Sequence, residues 1–415
     1  MNYNKQQQTK IGAINVLDIV VILSLVNLFY LNFKLLWFGT TGETWFAIEP
    51  STILMPLITA YAVIHMLANS HNISTKLGIS IFLYLTYAAL VTVFNFNHTP
   101  YKLIFAFISI VYWGCTIYIF YIYTQKNGFN NKIYKFAAFL FILLCAVFIY
   151  RYSFYKSEDA FKDKTLTLNN VYYILFLFPF MLFSKKMYWK YLAFGLTFLT
   201  VVLSQKRGAL IILVLCAIIW LLFSEKSYGL SKFKNIFLLL VTGVVLYYFL
   251  SYFTVSYDLS ITDRFMTLFN GEDTTGSGRS GIWETYLSVI GNDGLISLVG
   301  RGYDANVVSP KYNYLSWAHN DFLQIVFNYG FFGAILFLAF VINLFSKYRQ
   351  MKKQKYEYAT IFLISLLITF VNGLFGMCFV YPQWVLTSAT LWGLLIGDFN
   401  RKTKQKNALE GELYG

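Results

Sequence analysis

The chain has 415 residues, 58% of them hydrophobic and 20% aromatic but only 13% charged, and a mean hydropathy of +0.56. A soluble chain of this length carries about a quarter charged residues to cover its surface, and here the deficit runs through the whole sequence, which argues against a separate soluble domain. The net charge of +14 does not point to nucleic acid, because the Lys and Arg residues sit in short gaps between apolar runs.

The N-terminal MNYNKQQQTK is polar and basic, and no small-residue cleavage site closes the apolar run after it. It is expected to lead into an uncleaved first helix rather than to be a signal peptide. About twenty apolar residues cross a hydrocarbon core, and backbone in lipid must be bonded internally. That predicts about twelve membrane helices, at 14–38, 47–69, 75–95, 101–124, 132–150, 169–185, 188–204, 208–224, 233–254, 320–346, 356–379 and 382–398. The division between the sixth and seventh rests on SKKMYWK, and that between the last two on Tyr381-Pro382. Asp18 is expected mid-membrane in the first helix, facing the bundle or the inner interface.

The gaps orient the bundle. Lys5, Lys10, Lys76, Lys126, Lys132, Lys135, Lys185, Lys186, Lys190, Lys226, Lys232 and Lys234 fall on one side, together with SKYRQMKKQK and RKTKQK. The positive-inside rule makes that side cytoplasmic, with both termini on it. Two long polar segments then lie outside, 151–168 and 255–319. The expected organisation is a bundle over 1–254, a large outer loop over 255–319, three further helices over 320–398 and a cytoplasmic tail over 399–415. Cys115, Cys145, Cys216 and Cys378 all fall in apolar runs and read as small buried hydrophobes. His65, His71 and His98 are scattered without ligand spacing, so no metal or cofactor is expected.

The outer loop holds the chemistry-bearing residues. It contains G-S-G-R-S-G-I-W at 276–283 and V-G-R-G-Y at 299–303, and it ends W-A-H-N-D-F-L-Q at 317–324, running into a helix with Gly330 and Gly333. S-Q-K-R-G at 204–208 stands at the outer end of the seventh helix. This ordered set resembles the O-antigen polymerase and ligase superfamily of membrane glycosyltransferases. The carrying residues are Ser277-Gly278-Arg279, Trp283, Gly300, Gly302, His319-Asn320, Leu323, Gly330 and Gly333, over about 200–340. Gly294-Leu295-Ile296 departs from the proline that often precedes the Gly-x-Gly.

The resemblance implies an all-α, GT-C-like polytopic fold in the bacterial cytoplasmic membrane, with its site facing outside. It also implies an undecaprenyl-pyrophosphate-linked oligosaccharide donor, a glycan acceptor and a chain-length regulator as a further partner. No metal is used. In such a site arginines hold the pyrophosphate, and the histidine assists the acceptor hydroxyl.

The residues support these roles to different degrees. Arg207 lies on the side that topology disfavours for a cation; with Lys206 it either snorkels to headgroups or meets phosphate through its planar fork. Arg279 stands before a predicted helix from Ser280 to about Ile290, where helix-start N–H groups and a guanidinium together make an anion site. Arg301 either joins that site or pairs with Asp304. His319 is the only histidine on the loop, either the base for a sugar hydroxyl or an interfacial residue next to Asn320 as helix cap. Asp321 either orients the imidazole or completes the first helical turn, the second being favoured. Trp283 and Trp317 are the expected sugar contacts, and Glu284 is a minor alternative base. Polymerisation is the first expected activity, ligation of finished polymer the second, and lipid-linked sugar transport the alternative from another class.

Overall fold

The computed structural model describes residues 15–38, 49–69, 75–95, 100–155, 170–204, 206–223, 279–309, 311–380 and 382–414. Among these there is no strand. Before the long loop come α1 (Val16–Phe38), α2 (Pro50–Ala68), α3 (Lys76–Asn95), α4 (Pro100–Asn127), α5 (Asn131–Tyr155), α6 (Val171–Met181), α7 (Met187–Ser204) and α8 (Arg207–Phe223). Within the loop lie α9 (Arg279–Asn292), α10 (Leu295–Val299) and α11 (Ala305–Val308), and after it α12 (Asp321–Lys353), α13 (Ala359–Phe375) and α14 (Pro382–Tyr414). Seven of the described helices, α1 to α5, α7 and α12, are long and apolar enough to cross a membrane, and α6, α8 and α13 are shorter apolar helices. The protein is an all-α integral membrane protein. The span expected at 233–254, and most of the polar stretch at 151–168, lie outside the described residues.

Local chemistry explains the helix ends. Three helices open on proline, at Pro50, Pro100 and Pro382, where the missing N–H is one the helix would not have bonded. The last of these bears out the division read at Tyr381-Pro382, and a turn between Met181 and Met187 bears out the one read at SKKMYWK. Asp18 is not mid-membrane: it sits in the first turn of α1, and its carboxylate accepts the Asn15 N–H at 3.3 Å. α14 continues to Tyr414, past its expected end at 398. Residues 399–414 are thus a helical extension, held where Lys402 reaches Glu357 at 2.7 Å and Asp398 at 3.1 Å.

Apolar side chains gain little by leaving lipid for each other, so bundle helices associate through close fit and dispersion. α4 and α14 show this directly. Gly393 and Gly397 lie so close against Ile117, Tyr121 and Thr124 that a Cβ at either position would collide with them. Around this pair Trp113, Phe337, Phe340, Phe370, Phe379 and Trp392 interlock as tilted, edge-on and stacked rings. α12 packs on α3 and α13, and α6 packs on α5, α7, α13 and α14. Cys115, Cys145, Cys216 and Cys378 are buried and unpaired.

The described part of the loop is a cap with a small core of its own, made of Tyr286, Ile290, Ala305, Tyr312, Leu315, Ala318 and Phe327. It is seated on α12 by main chain. Gly330 interrupts α12 with φ 66° and ψ −177°, a conformation open essentially to glycine alone. Gly300 faces it with φ 108°. A Cβ on Gly330 would stand 2.6 Å from Gly300 N, and one on Gly300 would stand 2.6 Å from Asn328 O. The carbonyl that the kink releases is taken up by the cap, since Asn328 O accepts from Arg301 N at 2.8 Å and Gly302 N at 2.7 Å. α3 adds two more ties, Tyr87 Oη to Val299 O at 2.8 Å and Tyr303 N to Thr92 Oγ1 at 3.0 Å.

Candidate functional site

Arg279, Arg207, Lys206 and His319 come from three separate stretches of chain and meet at the end of the bundle under the cap. Arg279 is the first residue of α9, Arg207 the first of α8, and His319 lies two residues before α12. Burial, and after it the charge of Arg207, lowers the Arg279 pKa against an opposing pull from Tyr172. Partial removal from water, then the charges of Arg279 and Lys206, lower that of His319. The imidazole is therefore held in its neutral, proton-accepting form below the usual histidine range. His319 is exposed, Arg279 and Arg207 are half-buried, and Ser277 and Gly278 lie outside the described residues.

The α13 C-terminus organises one wall. The last carbonyls of a helix lack helical partners and carry partial negative charge. Phe375 O accepts from Arg279 Nη1 at 2.9 Å, and Leu374 O accepts from Asn320 Nδ2 at 3.2 Å. Asn320 also caps α12, its Oδ1 accepting the Leu323 N–H at 3.1 Å. The bond to Phe375 employs one of the five N–H donors of the Arg279 fork. His319 itself has φ 49°, a left-handed conformation uncommon for a residue with a side chain and characteristic of functional sites.

Several expected roles change. Arg301 does not point into this cluster and does not pair with Asp304. Its guanidinium side chain is 1% exposed and binds Asp293 Oδ2 through Nε at 3.1 Å and Nη2 at 2.7 Å. It also bonds Phe327 O at 3.2 Å and Ser297 Oγ at 3.1 Å, and lies over the rings of Phe327 and Tyr312. The pattern V-G-R-G-Y suggested an anion site because an arginine between glycines is usually accessible; here it folds inward and staples the cap. Asp304 takes φ 53°, and burial pushes its carboxyl up to about 7.

Asp321 neither orients the imidazole nor merely completes the first turn. Its carboxylate, from a residue 1% exposed, accepts Cys378 N at 2.7 Å and Phe379 N at 3.1 Å, binding the α13–α14 connection to the head of α12. The Trp283 indole N–H donates to Ala318 O at 2.7 Å, so the ring is engaged with the residue before His319. Trp317 is half-buried and packs on the main core. Glu284 is exposed on α9.

Two further residues belong to the surroundings of the cluster. Tyr172 on α6 couples electrostatically to Arg279, and its hydroxyl would lie 2.9 Å from a Cβ on Gly208. Trp384 on α14 pairs with the Tyr172 and Tyr173 rings at 5.5 and 5.4 Å. Both come from apolar runs rich in aromatics, where nothing in the sequence separates them from lipid-facing neighbours. Among the described residues no group of three or more His, Cys, Asp or Glu stands where it could hold a metal ion.

No curated protein matches the chain. A family model described as O-antigen ligase matches residues 192–338. The matched stretch takes in Lys206, Arg207, Arg279, His319 and the Gly300–Gly330 seat. The resemblance read from the motifs is thereby borne out over that stretch, which is similar to the O-antigen ligase family.

Proposed function

We propose that the protein transfers a glycan from a polyprenyl-pyrophosphate-linked donor to a sugar hydroxyl at the outer face of the cytoplasmic membrane, and that its main product is polymerised repeat units. The observation that carries this reading is the convergence of Arg279 and Lys206 on an imidazole whose pKa its burial and their charges depress, with Arg207 acting on Arg279 in turn. The acceptor oxygen attacks the anomeric carbon as the bond from that carbon to the pyrophosphate oxygen breaks. Negative charge grows on the departing pyrophosphate, and the positive charges of Arg279, Arg207 and Lys206 stabilise it. His319 takes the acceptor proton. The chemistry calls for no resident metal, since the cations that stabilise the leaving group are side chains.

Ligation of finished polymer to an anchor is the second reading, favoured by the description of the matched family model. Deleting the gene and resolving the cell's glycan on a gel separates the two. Loss of long chains with single repeat units retained means polymerase; long chains that never reach their anchor mean ligase. His319→Ala should reach the membrane in normal amount yet make no product. Normal product from that variant would remove the histidine from the mechanism.

A further inference from the structure

We propose that α9 is a positioning arm that holds His319 in register with Arg279, and that Trp283, Tyr286 and Gln324 are positioning residues for the transfer. The inference rests on the reading of His319 as the base. Arg279, Trp283 and Tyr286 follow one another at helical spacing and so share a face of α9. Arg279 is fastened to the α13 terminus through Phe375 O. One turn on, Trp283 Nε1 donates to Ala318 O at 2.7 Å. At the next turn the Tyr286 hydroxyl lies 2.9 Å from Ser316 O and 3.1 Å from Gln324 Oε1. A single rigid element thus carries one of the cations and grips Ser316 and Ala318, just ahead of the histidine.

Gln324 completes the grip from the other side. It is fully buried, and its Oε1 accepts the Ala318 N–H at 3.2 Å. An amide N–H can only donate, so the orientation of the Gln324 side chain is settled, with Nε2 turned to Asn328 Oδ1 at 3.0 Å and Asn306 Oδ1 at 3.3 Å. Ala318 is held at its N–H by α12 and at its carbonyl by α9. Immediately after it, His319 adopts its left-handed φ of 49°, which a free loop residue with a Cβ would abandon. The clamp supplies what keeps the residue there. It also gives the Trp283 indole N–H a role of its own, whatever the ring face meets.

The test uses the full-length protein in lipid nanodiscs with lipid-linked oligosaccharide extracted from cells that lack the gene. Trp283→Phe keeps a large ring and removes the N–H; Tyr286→Phe removes only the hydroxyl. Each should lower kcat about tenfold, the scale of one lost hydrogen bond, with KM for the donor unchanged. The acid limb of the kcat/KM profile should also rise toward the ordinary imidazole range. The reason is that a loosened His319 moves away from Arg279 on α9 and Lys206 ahead of α8, whose charges now depress its pKa. A purely structural role would lower the amount of active protein without moving that limb. Wild-type kcat and an unmoved limb in both variants would overturn the proposal, as would a raised donor KM with kcat intact, which would make Trp283 a sugar contact. If Trp283→Phe does not accumulate, Tyr286→Phe decides by the same two readouts. Activity in His319→Ala would instead defeat the underlying reading, so the two failures are told apart.

Discussion

Removing Arg301 tests whether the cap is stapled from within. The Arg301 guanidinium is nearly sealed from solvent, makes two bonds to Asp293, and is further bonded to Ser297 Oγ and Phe327 O. Breaking a buried ion pair from one side costs about 3–5 kcal/mol. Asp293 retains Lys311 at 2.9 Å and the Tyr312 hydroxyl, so Arg301→Ala belongs at the low end, about 3 kcal/mol. Arg301→Lys keeps the charge without the fork and should recover only part of this.

Acid should expose the same staple. Burial alone would raise the Asp293 pKa, but Tyr312, Lys311 and Arg301 outweigh it and bring the carboxyl to about 2. A depressed carboxyl stabilises the fold above its unfolded value near 4 and loses that contribution as pH falls toward 2. In Arg301→Ala the folded carboxyl lies closer to its unfolded value, so this acid-labile contribution should be smaller and its loss complete at a higher pH. Thermal unfolding in nanodiscs across pH 2–6, with limited proteolysis of the cap, reads both effects. If Arg301→Ala melts like the parent and resists acid equally but no longer binds donor, the staple is wrong and Arg301 belongs to the substrate.

Two other substitutions probe the frame around the site. Gly330→Ala demands a Gly-only backbone conformation from alanine and drives its Cβ to 2.6 Å from Gly300 N; it should cost about 3 kcal/mol or more and lower activity with stability, and parental melting would refute the seat. Asp321→Ala leaves the N–H groups of Cys378 and Phe379 without their acceptor, at about 1–3 kcal/mol each. Maleimide should then label the buried Cys378 faster than in the parent, and an unchanged labelling rate would show that the carboxylate does not hold the α13–α14 connection.

Much of the fold was legible because the membrane leaves a chain few options. Apolar runs of spanning length had to be helices, and the proline at 382 and the lysines at 185 and 186 marked real breaks. Asp18 was misplaced because the periodicity of an apolar run does not say where its first turn begins. The positions of Arg207, Arg279 and His319 in one cluster were readable only through the motif series, since no local pattern brings residues so distant in sequence together. Arg301 misled because its partner, Asp293, lies eight residues back across one short helix; sequence proximity favoured Asp304 instead. Asp321 looked like an ordinary first-turn residue, and nothing in the sequence marked Gln324. Their acceptors and donors come from a connection and a loop whose approach depends on how α13, α14 and the cap are stacked.

The seat of the cap is main chain against main chain, with Gly300 and Gly330 supplying no side chain to either surface. Its dimensions are therefore set by peptide geometry and are indifferent to what the neighbouring side chains are. Side chains elsewhere in the cap can change without altering the height at which it sits on α12, and so without raising or lowering the stretch that ends at His319.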